Sequence, residues 1–202
     1  MIATRLKIGP ADHGREVSEY EAELAEYEEG YRYEHIDGRI EVAPAAGFPE
    51  VFNENWLQRR LDRYAELHPD VIGYLTPISR VYVPARLRVT VPEPDLALYR
   101  ERLAELNIDE VHWRDVSPFL VVEVLVDGNP KKDLVRNVEL YFQVPSIEEY
   151  WVLDGRASAS RPNLIVHRRG SQEWEVAEVP FGELYTTPVL PGFELIVDPK
   201  AR

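Results

Sequence analysis

Two carboxylates sit where apolar strands should run. Residues 119–126 read Phe-Leu-Val-Val-Glu-Val-Leu-Val, and Glu123 is the single residue among them that is not apolar. Residues 91–98 read Val-Pro-Glu-Pro-Asp-Leu-Ala-Leu and carry Asp95 into the start of a second apolar run. Short runs rich in branched side chains are strands covered on both faces. An ionised carboxylate there costs several kcal/mol unless it is paired, protonated or bound to a metal ion. On neighbouring strands, Asp95 and Glu123 can converge on one divalent cation, and oxygen ligands suit magnesium or manganese. Such an ion polarises a phosphate and activates a water for attack. The competing reading is structural: two buried acids held by arginines.

The surrounding pattern predicts the scaffold that would position them. Asn129 followed by Pro130 is an N-cap and first-turn pair. Residues 131–143 predict a helix that packs through Leu134, Val135, Val138, Tyr141 and Phe142 and stops at Pro145. A strand follows at 149–153, and strand, helix and strand make a βαβ unit with parallel strands. Upstream, the acidic stretch 15–30 has Tyr20, Leu24 and Tyr27 at helical spacing, which predicts an amphipathic helix. Asp37-Gly38 predicts a hairpin over 33–42. Residues 50–67 predict a second helix on Val51, Trp56, Leu57, Leu61, Tyr64 and Leu67, ended by His68-Pro69. Further strands are expected at 71–75, 79–83, 87–91 and 96–99, with a helical turn at 100–107 and a loop at Asp127-Gly128. Two or three more are expected among 164–168, 174–179 and 193–197. No repeat or linker interrupts the chain, so one mixed α/β domain over residues 1–202 is expected.

Composition narrows the function. The chain has 202 residues, 45% of them apolar and 29% charged, as soluble globular domains do. No apolar run approaches the roughly 18 residues that span a membrane, and the first residues lack a signal-peptide core, so a cytoplasmic setting is expected. The absence of cysteine removes thiolate nucleophiles, disulfides and cysteine-ligated metals. A net charge of −13 argues against coating nucleic acid with the whole surface, while leaving room for a local basic groove or a metal-bridged phosphate site. His13, His35, His68, His112 and His167 show no metal-ligand spacing. The four tryptophans, Trp56, Trp113, Trp151 and Trp174, are too scattered for a base-stacking platform.

Six segments then fall in a telling order: Tyr33-Glu34-His35-Ile36-Asp37-Gly38, Glu93-Pro94-Asp95-Leu96, Leu120-Val121-Val122-Glu123-Val124-Leu125, Asp133 with Tyr141, Glu149-Tyr150-Trp151-Val152-Leu153-Asp154, and Leu190-Pro191-Gly192-Phe193. Together they resemble the Uma family of restriction-endonuclease-like domains in the PD-(D/E)XK nuclease superfamily. The resemblance implies a mixed sheet flanked by helices, with a core near 31–155, an N-terminal helix and hairpin, and a C-terminal β extension over 156–202. It also implies a magnesium or manganese site on Asp95 and Glu123, with the Val124 carbonyl as a further ligand, DNA phosphodiester cleavage, and a homodimer. In the superfamily a lysine usually stands two residues after the motif carboxylate, where this chain has Leu125. Members of this family commonly carry it on the next helix, four residues after an Asp and four before a Tyr. Asp133 and Tyr141 bracket Asn137 there, a residue that read structurally is a polar group on the exposed helix face. Lys132, Lys131 and Arg136 are the cations left to take the role, and a guanidinium is a poor proton acceptor. Glu50, Asn53 and Glu54 are the polar residues at the start of the first core helix. Two function classes follow: a metal-dependent DNA endonuclease using Asp95, Glu123 and Lys132, or a catalytically impaired nuclease fold that serves as a binding or assembly module.

Overall fold

The computed structural model describes residues 6–102, 105–107, 109–126 and 129–201, apart from the side chain of Glu23. In chain order the elements are β1 (Lys7–Ile8), α1 (Glu19–Glu23), β2 (Glu26–Tyr27), β3 (Tyr31–Ile36), β4 (Arg39–Pro44), α2 (Phe48–Leu67), β5 (Tyr74–Thr76), β6 (Leu96–Tyr99) and β7 (Leu120–Leu125). A π-helical turn (Lys132–Arg136) then runs into α3 (Asn137–Phe142). The chain continues through β8 (Glu149–Asp154), β9 (Asn163–Arg169), β10 (Trp174–Val179), β11 (Leu184–Thr187) and β12 (Leu190–Ile196).

Six strands form one mixed sheet in the order β10-β9-β8-β7-β6-β5. β7 and β8 are parallel and bracket the helical segment, as the βαβ pattern requires, and the other neighbours are antiparallel. Every residue of β7 is buried, which is why its sequence runs apolar without alternation. Leu120, Val122 and Val124 face α2 and the β11–β12 hairpin, packing with Trp56, Leu57, Trp151 and Phe193. Val121 and Leu125 face the opposite layer, with Leu140, Tyr141, Tyr150 and Val152. The β3–β4 hairpin turns at Asp37 and Gly38, at φ 51° and 74°, as the Asp-Gly pair foretells. The peptide groups of His35 and Val91 tie it to the segment before β6.

Several expectations are corrected. The helix predicted over 15–30 shrinks to α1, and Tyr27 joins β2 in a parallel pair with β1. Tyr20 is 68% exposed, so the apolar stripe does not dock; Val17 and Ala22 are buried instead. The strands expected at 79–83 and 87–91 are extended but form no ladder. Val81 and Val83 donate to the carbonyls of Pro92 and Thr90, both at 3.0 Å, and the prolines at 84 and 92 withhold the donors that a ladder needs. The strand at 71–75 is displaced to β5, and β11 was not foreseen. Of the helical turn at 100–107, Glu105 donates to Arg102, and residues 103–104 lie outside the described residues. The loop at Asp127-Gly128 lies outside them too.

Gly73 leads into β5 beneath the strand end opposite. A Cβ built there would stand 2.3 Å from the Glu101 carbonyl oxygen and 2.5 Å from that of Arg100. The clashing atoms are backbone and cannot swing aside as a side chain would, so Gly73→Ala is expected to destabilise the chain by about 2 kcal/mol, read as a lowered urea midpoint. Unchanged stability would show that this edge relaxes freely.

Candidate active site

Asp95 immediately precedes β6 and Glu123 lies on β7, strands that are paired antiparallel. Alternation along each strand turns both side chains to the α3 side, the side taken by Ala97, Tyr99, Val121 and Leu125. Asp95 Oδ2 accepts the Val124 N–H at 2.6 Å, which locks the two strands together at the site. Asp95 Oδ1 accepts from Arg32 Nη1 of β3. The same guanidinium lies 3.4 Å from Glu50 and 3.8 Å from Glu54, in the first turns of α2.

Glu123 is 1% exposed. Its Oε1 accepts from Asn137 Nδ2 at 2.7 Å and from the Tyr141 hydroxyl at 3.0 Å. Lys132 Nζ stands 3.5 Å from Glu123 Oε2, 3.5 Å from Asp133 and 3.6 Å from Glu34. Arg136 donates at 2.6 Å to Glu34 and at 3.0 Å to the Asn137 side-chain oxygen. Arg32, Glu34, Glu50, Asp95, Glu123, Lys132, Asp133 and Arg136 line a cavity of about 350 Å³ that Val124 also reaches.

The helix entry explains this convergence. Asn129 caps it, its side-chain oxygen accepting from the Lys131 N–H. One turn then widens, so that the Asn137 N–H bonds the Lys132 carbonyl five residues back. The extra residue rotates the helix. Val135, expected to pack, is 54% exposed, whereas Asn137, read structurally as an exposed polar group, is fully buried against Glu123. Lys132 is brought to the carboxylates, and the Lys131 side chain is exposed. Asn53 bonds the carbonyls of Pro49 and Ala159 rather than the two acids. From the sequence no site role falls to Arg32, nor to Glu34, which stands there only within the segment Tyr33 to Gly38. Their signal is two charged residues at alternate positions of one strand, Arg32 half-buried and Glu34 buried between Tyr33 and His35.

The electrostatics are those of crowded acids. Burial pushes the Glu123 carboxyl well up; Lys132 opposes this, while Asp133, Asp95 and Glu34 reinforce it. Burial, against the pull of Lys132, pushes Asp133 up to about 6. Burial and then Asp95 push Glu54 up to about 7. Glu34 stays below the ordinary carboxylate range because Lys132 and Arg136 outweigh its burial. The Lys132 ammonium loses solvation, yet Glu123, Glu34 and Asp133 hold it above the ordinary lysine range.

Do these residues fit a divalent ion? Among the described residues no three acids or imidazoles converge on one point. The available donors are the carboxylates of Asp95 and Glu123 and the Val124 carbonyl. The Leu125 carbonyl accepts from Gly155 on the β8 side, so strand alternation turns that of Val124 toward Asp95. Magnesium accepts such a set, one or two carboxylates completed by water and phosphate oxygens. A carboxyl pushed up by burial and by neighbouring acids, as that of Glu123 is, is also what a bound cation relieves. The donor set fits, with Arg32 sharing Asp95.

Behind this face, His35 lies 3.1 Å from the Tyr27 hydroxyl. Burial and then Arg80 bring its imidazole from 6.5 down to about 4. The folded chain therefore binds fewer protons than the unfolded one between those values, and stability rises with pH across them. The contribution, about 2 kcal/mol after solvent screening, is intact above pH 6.5 and is lost as pH falls toward 4. Urea unfolding against pH should show that slope in the difference between the wild type and His35→Gln, because Asp133 and Glu54 contribute with opposite sign to both proteins.

A family model described as "Putative restriction endonuclease", Uma2, matches residues 17–198. Among solved structures, the chain is similar to "a putative nuclease belonging to DUF820 from Anabaena variabilis ATCC 29413", with a TM-score of 0.65 and 15% identity over 90% of this chain and 95% of that one. At that identity the likeness speaks for the fold, a mixed α+β architecture shared with a nuclease-fold protein. A comparison with curated proteins gives no match. Among the described residues no helix is long and apolar enough to cross a membrane. With the match running from the acidic N-terminal segment through β12, the chain belongs to the Uma2 family.

Proposed function

We propose that the chain is a divalent-metal-dependent endonuclease acting on DNA, in which Asp95 and Glu123 hold the ion and Lys132 supplies the cation that Leu125 and Asn137 do not. The observation that carries this reading is the approach of Lys132 Nζ to 3.5 Å from Glu123 Oε2. A lysine thus reaches the carboxylate from a helix position one turn before Asn137. When bound, magnesium or manganese supplies Lewis acidity toward a phosphate and a water of lowered pKa.

The chain's own residues do the rest. Val124 N–H and Arg32 fix the Asp95 carboxylate, and Asn137 and Tyr141 fix Glu123, so both acids are oriented before any ligand arrives. Glu123, Glu34 and Asp133 favour the charged form of Lys132, which suits it to the role of a fixed positive group for a phosphate oxygen. Arg136 is held by Glu34 and Asn137 and lends a second positive edge to the cavity. Choice of magnesium or manganese, DNA as substrate and the homodimer rest on the family resemblance.

Incubation of purified protein with supercoiled plasmid and with single-stranded DNA, in magnesium and in manganese, tests the reading. Cleavage by the wild type is expected to fall by at least about 1,000-fold in Glu123→Gln. Cleavage by neither protein, with DNA still bound, would favour the binding-module reading. Equal cleavage by both would remove Glu123 from the chemistry.

A further inference from the structure

A second cavity, of about 500 Å³, lies between α2 and the C-terminal segment and is lined by Phe52, Trp56, Arg59, Arg60 and Arg63 together with Asn55, Pro199 and Ala201. Among the described residues no carboxylate contributes to this lining. That is unusual on a chain of net charge −13, whose surface arginines are mostly spent on acids. Arg39 and Arg88 share Glu16, Arg86 takes Asp37, Arg100 takes Glu148 and Arg156 takes Asp154. Among the described residues Arg59 and Arg63 have no such partner, and Arg60 donates to the Ala201 carbonyl at 2.7 Å, fixing the cavity wall. Asp62 and Glu66 lie on the same helix, but Asp62 responds to its burial and to Glu66, not to either arginine.

Two further observations point to what the cavity takes. Trp56 is 9% exposed, yet its indole N–H has no acceptor among the described residues. At the N-terminal end of the same helix, Phe48 is 82% and Phe52 40% exposed, with their rings roughly parallel at 6.5 Å. Neither ring is needed to seal the core. Unpaired guanidiniums beside exposed aromatic faces are the two halves of single-strand recognition, the first for phosphates and the second for unstacked bases. Residues 52, 59 and 63 fall within about 40° of one another around the helix axis, so they form one continuous stripe.

We infer that this stripe of α2 is a binding surface for a single-stranded nucleic-acid segment, with phosphates on Arg59 and Arg63 and a base stacked on Phe52. The choice of DNA as the strand rests on the nuclease reading; the surface does not. α2 also carries Glu50 and Glu54 to the Arg32–Asp95 pair, so one helix joins the two sites.

Fluorescence anisotropy with a labelled single-stranded DNA 20-mer, in EDTA so that no cleavage intervenes, tests it. The wild type should bind, and Phe52→Ala should bind about 10-fold more weakly. Arg59→Ala/Arg63→Ala should reduce the slope of log affinity against log salt by about 1.4, two phosphate contacts on a single strand. These side chains are largely exposed, and circular dichroism verifies that each variant is folded. A wild type that fails to bind, or variants that bind with unchanged affinity and slope, overturns the inference. Binding that depends on the arginines, in a protein that cuts nothing in either metal, leaves this surface standing and removes the nuclease reading. Cutting by variants whose binding is unaltered does the reverse.

Discussion

Lys132→Met should slow DNA cleavage by about 100-fold or more, equivalent to about 3 kcal/mol of lost transition-state stabilisation. Methionine keeps most of the apolar stem and removes the ammonium, its charge and its donors together. The loss should fall on the single-turnover rate rather than on DNA affinity, because Lys132 faces Glu123, Asp133 and Glu34 inside the cavity. The same variant should bind manganese more tightly, since a competing cation has left the carboxylates. Asn137→Lys on this background should recover part of the rate. Position 137 already places a side-chain donor 2.7 Å from Glu123, and the departed ammonium leaves room for the new one. A Lys132→Met protein that cuts at the wild-type rate would show that the helix-borne lysine is a structural ion pair.

The largest stability effect is expected far from that cavity. Glu149 opens β8, is fully buried, and accepts from four side chains: Arg168 at 2.7 Å, Thr187 at 2.7 Å, Trp151 at 2.9 Å and Tyr185 at 3.0 Å. These donors come from β8, β9 and β11, so one carboxylate pins the β11–β12 hairpin to the central sheet. Glu149→Ala strands a charge and three neutral donors, at a cost of about 4 kcal/mol. For a chain of this size that lowers the melting temperature by about 12 °C. Scanning calorimetry checks it, and a drop of only a degree or two would mean that water replaces the carboxylate at little cost.

How much of this was legible in the residues depends on whether the signal was local. The Asp37-Gly38 turn, the Asn129-Pro130 cap and the apolar run of β7 carry their own geometry, and the hairpin, helix entry and βαβ unit stand where those signals put them. Helix 15–30 failed because spacing alone cannot say whether a surface exists to receive Tyr20 and Leu24. The π turn was invisible because Lys132 to Arg136 is ordinary helical sequence; its register is set by the buried donors Asn137 and Tyr141 that Glu123 must have. The carboxylates themselves were legible, since an acid in an apolar strand is costly wherever it lies. Their cations were less so. Arg32 arrives from 63 positions away and Glu34 from 102 before Arg136, separations across which pattern carries no information. The structural and chemical readings of the two acids also proved compatible. Asp95 is held by an arginine, as the structural one required, while Glu123 is held by an amide, a phenol and a lysine.

The central claim is that Asp95 and Glu123 form a divalent-cation site. Titration calorimetry with manganese addresses it without DNA and without turnover. The wild type should bind one ion with measurable heat, and Asp95→Asn, which keeps the acceptor for the Val124 N–H, should lose that binding by at least about 10-fold. Identical isotherms for the two proteins, or no binding to the wild type at millimolar manganese, would contradict the account.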